Sequence, residues 1–130
     1  MGADCLAEGC DWLNDLVRAL AVQCRAEAAS RALLAPIIHW PTRLAVTGER
    51  AFLAALGGGC AVPVAAYAKV RNRRLVVRGR VTAVDGSRQV DVALEGAASA
   101  KGASALGQRL AELALAQHAD ELLKLLEVES

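Results

Sequence analysis

The sequence changes from a helical to a strand pattern within residues 56–64, which read Leu56-Gly57-Gly58-Gly59-Cys60-Ala61-Val62-Pro63-Val64. Gly57 is expected to end the helix, because glycine readily adopts the left-handed conformation found just after a helix end. The consecutive glycines also leave space beside the Cys60 thiol. A cysteine packed in a core needs no such space, and we therefore expect an accessible thiol on a loop.

The helix before this loop is expected to begin near Thr47, whose hydroxyl can accept a hydrogen bond from the first helical turn. Glu49 would then lie in the first turn, where the helix dipole favours negative charge. Phe52, Leu53 and Leu56 would form the buried face of this helix.

Two further helical segments are predicted upstream. Residues 6–20 carry apolar side chains at three- and four-residue steps, which is typical of an amphipathic helix. A second helix is expected over residues 26–35, ended by Pro36 and followed by a loop over residues 37–41. Residues 20–24 fit a strand or a helix equally well.

Downstream of the loop, apolar residues alternate with polar or small ones, which is typical of strands with one buried face. The inward positions would be Val62, Val64, Ala66 and Ala68 in the first strand and Leu75, Val77, Gly79, Val81 and Ala83 in the second. Asn72 is expected in the turn between them. Asp85-Gly86-Ser87 is a hairpin signal that leads to a third strand over residues 89–94. Three strands joined by short turns predict an antiparallel meander.

Two helices are expected after the third strand, which would end before Gly96. The apolar residues are Leu106, Leu110, Leu113 and Ala114 in a long helix that ends near His118, and Leu122, Leu123, Leu125 and Leu126 in a short helix capped by Asp120. A three-stranded sheet with one apolar face is stable only when that face is covered. The sequence therefore predicts an α+β fold, with a three-stranded antiparallel sheet covered on one face by helices.

Composition limits the kinds of partner. The chain has 15 basic and 14 acidic residues and a net charge of +1, which argues against a general attraction to nucleic acid or membranes. No run approaches the roughly 18 apolar residues of a membrane span, and the N-terminal Met1-Gly2-Ala3-Asp4 lacks the basic start of a signal peptide. We therefore expect a cytoplasmic protein with no nucleic-acid and no membrane partner, in which any anion site is local.

The four cysteines are irregularly spaced, at Cys5, Cys10, Cys24 and Cys60. In a cytoplasmic protein such cysteines are expected to be free thiols rather than disulfides. Cys5 and Cys10 lack a second cysteine pair or a nearby histidine, so their zinc signal is weak. We expect no metal site.

Four motifs follow one another along the chain: residues 47–53, residues 56–67, Asp85-Gly86-Ser87 and the closing helix. Together with residues 19–44 upstream, they resemble the C-terminal part of hydroxymethylbilane synthase, also called porphobilinogen deaminase, over about residues 19–127. The resemblance divides the chain into three parts. Residues 1–18 form a helical segment that does not match the family, residues 19–46 are the remnant of the preceding domain and a linker, and residues 47–130 are the cofactor-attachment domain.

The resemblance implies a particular chemistry for Cys60. In this family the matching cysteine forms a thioether to a dipyrromethane cofactor, and the enzyme adds four porphobilinogen units to that primer in tetrapyrrole (porphyrin and heme) biosynthesis. Gly58 and Gly59 are then expected to make room for the cofactor. Arg50 matches a family arginine near it, where a guanidinium can pair with pyrrole carboxylates. Porphobilinogen-derived pyrroles are the implied partners.

Other polar residues have simpler interpretations. Taken alone, Arg50 is a helix-surface arginine paired with a nearby glutamate. Basic residues cluster on the first hairpin, where we expect them to be solvated, at Arg71, Arg73, Arg74, Arg78 and Arg80. His39 and His118 are expected in a loop and at a helix end. The resemblance places Cys24 within a core segment, where we expect it to pack.

The departures from the family leave two hypotheses. Full-length members have three domains, and the resemblance places the catalytic aspartate and most substrate-binding cations in the two that have no counterpart here. The chain looks truncated, so we assign no catalytic residue and expect no catalysis by it alone. It would be the cofactor-bearing portion of the enzyme, working with the first two domains in cis or in trans, or a non-catalytic binding or scaffold module. Gly48 also stands where the family usually has alanine.

Overall fold

The computed structural model describes residues 19–57 and 63–128. The chain divides into two compact units, residues 1–40 and residues 41–130. The helix predicted over residues 6–20 lies almost wholly outside the described residues.

The described part of the first unit is a short helical segment. Residues 19–25 form neither helix nor strand, α1 spans Ala28–Leu34, and a 3₁₀ helix, Ala35–Ile37, follows it. The helix predicted over residues 26–35 is thus confirmed at slightly shorter length, with Pro36 in the first turn of the 3₁₀ helix, where its missing N–H costs little. Cys24 is exposed, so the prediction that it packs in a core was wrong. No strand among the described residues pairs with this segment to give it a buried face.

The next helix, α2, begins seven residues earlier than predicted, since it spans Trp40–Leu56. Pro41 suggested a loop, but proline is tolerated in the first turn of a helix. Thr47 is therefore not a cap, and its hydroxyl instead donates to the Arg43 carbonyl at 2.7 Å within the helix. Phe52 is fully buried as predicted, whereas Leu53 was wrongly placed in the core and is 38% exposed.

Three strands form an antiparallel sheet in the order β1-β2-β3, with β1 at Val64–Arg71, β2 at Arg74–Thr82 and β3 at Gln89–Ala97. The predicted meander is confirmed. β3 runs three residues further than predicted and includes Gly96, which pairs with Leu75 of β2. The inward alternation predicted for β2 is also confirmed, because Leu75, Val77 and Val81 are fully buried.

Both turns are close to their predicted positions. The first has only Asn72 and Arg73 between the strands, both at positive φ, 49° and 63°. The second contains Gly86 at φ 73°, and the Asp85 carboxylate accepts hydrogen bonds from the amide and hydroxyl of Ser87 at 2.9 and 2.6 Å. These local bonds, as in an Asx turn, fix the register between β2 and β3.

Two helices follow the sheet and cover it, α3 at Ala100–Ala116 and α4 at Ala119–Val128. Ser99 caps α3 by accepting a hydrogen bond from the Gly102 amide at 3.0 Å. Asp120 was predicted as a cap, but it lies inside the first turn of α4 and bonds Lys124 at 3.0 Å. The α+β fold, with helices on one face of the sheet, is confirmed.

Two glycines allow the layers of the second unit to approach closely. The Phe52 ring of α2 lies directly over Gly79 of β2, where a Cβ atom would overlap three ring carbons. Gly107 of α3 lies against the backbone of α2 at Gly48 and Phe52. Apart from the Phe52 ring, the buried core is aliphatic. The core residues with an exposure of 1% or less are Phe52, Leu75, Val77, Val81, Ala103, Leu110, Ala111, Ala114, Ala119 and Leu122.

Candidate functional site

The connection from α2 to β1 has described residues at each end. At the first end Gly57 has φ 66° and donates to the Ala54 carbonyl at 3.3 Å, which ends the helix as predicted. At the other end the Pro63 carbonyl accepts a hydrogen bond from the Thr82 amide of β2 at 3.0 Å. Both ends of the connection are thus tied to regular structure.

The residues within the connection are the centre of the predicted site. Cys60, Gly58 and Gly59 lie outside the described residues, and their assignment stays a prediction. At the described Gly57, an added Cβ would meet no atom within 4 Å. Among the described residues, no element therefore packs against this position at the end of α2.

Arg50 is the described cation of the predicted site. It lies on α2 two residues after the buried Gly48, which is roughly 200° around the helix and places it on the exposed side. No hydrogen bond or ion pair joins it to another residue in the described ranges, although its charge acts on the neighbouring Glu49. An exposed guanidinium without an ion-pair partner can donate hydrogen bonds to a ligand carboxylate without first breaking an internal ion pair.

Glu49 has a structural role that the sequence did not suggest. Its Oε1 atom accepts a hydrogen bond from the backbone amide of Ala68 in β1 at 2.8 Å. Burial raises the pKa of the Glu49 carboxyl, while the Ala68 amide and the Arg50 charge act in the opposite direction. The expected position in a first turn was wrong, because α2 starts at Trp40 and Glu49 is in its interior. A contact across 19 residues leaves no periodic signal in the sequence.

The basic cluster lies on the hairpin and on the face of the sheet away from the helices. Arg80 pairs across the strands with Asp91 at 2.6 Å, and Arg74 pairs with Glu95. All five arginines of the cluster are exposed, as expected for solvated residues. Pairs of this kind contribute little to stability, typically below about 1 kcal/mol.

The two histidines lie at helix boundaries. His39 directly precedes α2, and His118 lies between α3 and α4 at φ 65°, with its Nδ1 atom 3.4 Å from Glu121. These positions confirm the interpretation as loop and helix-end residues. Within residues 19–57 and 63–128, no three histidine, cysteine or acidic side chains are placed to hold a metal ion. None of the described helices is both long enough and apolar enough to cross a membrane.

Comparison with known proteins identifies the family. The model of the family described as "Porphobilinogen deaminase, C-terminal domain" matches residues 43–116, from the first turns of α2 to the end of α3. A porphobilinogen deaminase of Syntrophotalea carbinolica is 41% identical over 85% of this chain, and one of Thermobifida fusca is 43% identical over 80%. A third, from Brevibacillus brevis, is 42% identical over 81% of the chain. The chain spans about a third of the length of these curated relatives, 33–35%. It belongs to the porphobilinogen deaminase family, as a representative of that family's C-terminal domain.

Proposed function

We propose that this chain is the cofactor-bearing portion of a hydroxymethylbilane synthase and acts in the cytoplasm. Dipyrromethane would be attached to Cys60, in the space left by Gly58 and Gly59, with Arg50 as a carboxylate partner. The observation that carries the proposal is the family match over residues 43–116, which includes all but the first three residues of α2, the whole connection and the sheet. The whole enzyme's activity is part of the proposal, since the chain spans about a third of its relatives.

The described residues around the connection fit such a cofactor. No described residue packs against Gly57, and Arg50, on the same helix, is exposed and has no ion-pair partner within the described ranges. Each pyrrole of the cofactor bears carboxylates, for which a guanidinium is the best-matched cation. When bound, dipyrromethane supplies the primer to which porphobilinogen units are added.

The role of Cys60 would be that of a nucleophile in the attachment. Its sulfur forms a bond to the aminomethyl carbon of porphobilinogen, the carbon–nitrogen bond breaks, and the thiol proton leaves with the amine as ammonia. The thiolate is the reactive form, so an accessible position favours the step. Growth of the chain to the tetrapyrrole would need cations and an acid that the resemblance places in the other two domains.

The exposed apolar residues of the first unit favour a protein partner. The large side chains concerned are Leu20 at 93%, Val22 at 60%, Leu33 at 81%, Ile37 at 65% and Trp40 at 58% exposure. Apolar residues concentrated in so short a segment are typical of an interface. We propose the other two domains, supplied in cis or in trans, as this partner. The second candidate is a non-catalytic scaffold module that uses the same residues to bind a different protein.

Intact-mass measurement after incubation with porphobilinogen tests the proposal. The chain is incubated alone and with a separately produced fragment that carries the other two domains. A mass increase that maps to Cys60 is expected at least in the second incubation. Cys60→Ser should abolish the increase, whereas Cys24→Ser, which removes an exposed thiol elsewhere, should leave it unchanged.

Two results would contradict the proposal. One is a wild-type chain that stays unmodified even with the domain fragment present, which would favour the scaffold hypothesis. The other is a mass increase that persists in Cys60→Ser. An increase only in the presence of the fragment would assign the chain a partner in trans.

A further inference from the structure

Glu49 makes a contact that joins two elements of different type. The carboxylate projects from the middle of α2, and the Ala68 amide that it binds belongs to β1, an edge strand of the sheet. Edge strands carry amides that point away from their neighbouring strand and need partners. Glu49 supplies that partner at 2.8 Å from a partly buried position.

The contact also spans the connection between the two elements. Glu49 lies seven residues before the end of α2 at Leu56, and Ala68 lies four residues after the start of β1 at Val64. Together with the packing of Phe52 over Gly79, the bond therefore limits how far the end of α2 can move from the start of β1. The Thr82–Pro63 bond fixes β1 against β2 but makes no contact with α2.

The same contact sets the rotation of α2 about its axis. With Gly48 packed towards Val77 and Glu49 held at the edge of the sheet, the next residue, Arg50, must project away from the core. A hydrogen bond to a charged group is stronger than a neutral one, so this orientation is firmly held. This bond offsets only part of the cost of burying the Glu49 carboxylate, since the pKa of that carboxyl stays raised.

We propose that Glu49 is a positioning residue, which holds α2 to the edge of β1 and thereby orients Arg50 and fixes both ends of the connection that carries Cys60. Its importance for pyrrole attachment rests on the proposed function. The hydrogen bond between Glu49 and the Ala68 amide is observed independently of that function.

Two substitutions test whether the hydrogen-bond acceptor of Glu49, rather than its negative charge, holds β1 to α2. Glu49→Gln keeps an oxygen that can accept from the Ala68 amide, whereas Glu49→Ala removes it. Amide hydrogen exchange at Ala68 should become roughly tenfold faster in Glu49→Ala and stay within about twofold of the wild type in Glu49→Gln. Pyrrole attachment to Cys60, measured as above by intact mass, should slow several-fold in Glu49→Ala and be rescued in Glu49→Gln.

A third variant controls for loss of stability. Leu53→Ala truncates a partly exposed residue of the same helix. Its free energy of unfolding is measured beside that of Glu49→Ala, so that the effect of lost stability on the two readouts is known. Leu53→Ala should leave both readouts unchanged. Unchanged exchange at Ala68 in Glu49→Ala would overturn the proposal, as would a Glu49→Gln variant as impaired as Glu49→Ala. A wild-type chain that takes up no pyrrole would refute the proposed function, and the exchange measurement would still decide whether Glu49 holds the strand.

Discussion

Substitution of Gly79 by alanine should strongly destabilise the second unit. Gly79 is in the middle of β2 under the ring of Phe52, and a Cβ atom at this position would overlap three carbons of that ring. The ring is fully buried, so it can make room only by displacing α2. Overpacking of this kind costs about 1–3 kcal/mol, and alanine recovers about 0.5–1 kcal/mol of backbone entropy. Since the added Cβ overlaps three ring carbons, the cost should exceed the recovery, and the net expectation is a loss of about 1–2 kcal/mol.

The effect can be measured by urea denaturation followed by circular dichroism. A double-mutant cycle with Phe52→Leu isolates the contact, because a smaller side chain over residue 79 should reduce the cost of the alanine. The coupling free energy should be at least about 1 kcal/mol. Gly96→Ala is the control in the neighbouring strand, where an added Cβ would lie 3.2 Å from the movable side chain of Leu106. Strictly additive effects of the two substitutions, or equal costs at positions 79 and 96, would show that the Phe52 ring does not restrict the side chain at position 79.

Two further substitutions test the first turn and the buried carboxylate. Arg73→Gly should raise the free energy of unfolding by about 0.5–1 kcal/mol, because residue 73 has φ 63°, a conformation that glycine adopts more readily than arginine. The control Arg74→Gly removes the pair with Glu95 and should not raise the free energy of unfolding. An Arg73→Gly variant that is less stable than the wild type would contradict the strain at this turn. At Glu49 the folded-state pKa is raised above its ordinary value of 4.5, so the folded chain binds more protons than the unfolded chain just above that pH. The free energy of unfolding should therefore fall as the pH rises through the folded-state pKa, relative to Glu49→Gln measured in parallel, and a difference independent of pH would contradict this.

The parts of the fold that the sequence predicted well depend on local chemistry. The alternation along β2 and the Asp85-Gly86-Ser87 turn each contain their signal within a few residues, and both are observed as expected. The start of α2 was misjudged because Pro41 is compatible with a loop and with a first helical turn. Only tertiary packing of Leu44 and Ala45, which are both buried, decides between the two.

The candidate site was less predictable from the residues alone. The residues themselves predict an accessible thiol beside glycines, whereas the role proposed for Arg50 rests only on the family resemblance. The Glu49–Ala68 bond joins a side chain to a backbone amide 19 residues away, and any residue except proline could supply that amide. Cys24 was misjudged because its packing was inferred from the core position that the family resemblance gives it, and no described strand pairs with residues 19–25 to bury it.

Under the proposed function, the charges near the connection bear on how a dipyrromethane would be held. A dipyrromethane carries four carboxylates, since each of its two pyrroles has two, whereas the described part of α2 offers one guanidinium near the connection, that of Arg50. Arg74 and Arg80 are engaged by Glu95 and Asp91 on the sheet face away from the helices. Carboxylates left without cations are costly wherever water is excluded, so we expect another domain to supply further positive charge. A dipyrromethane attached to Cys60 should therefore need the other domains mainly to neutralise its carboxylates, and less to form the thioether bond.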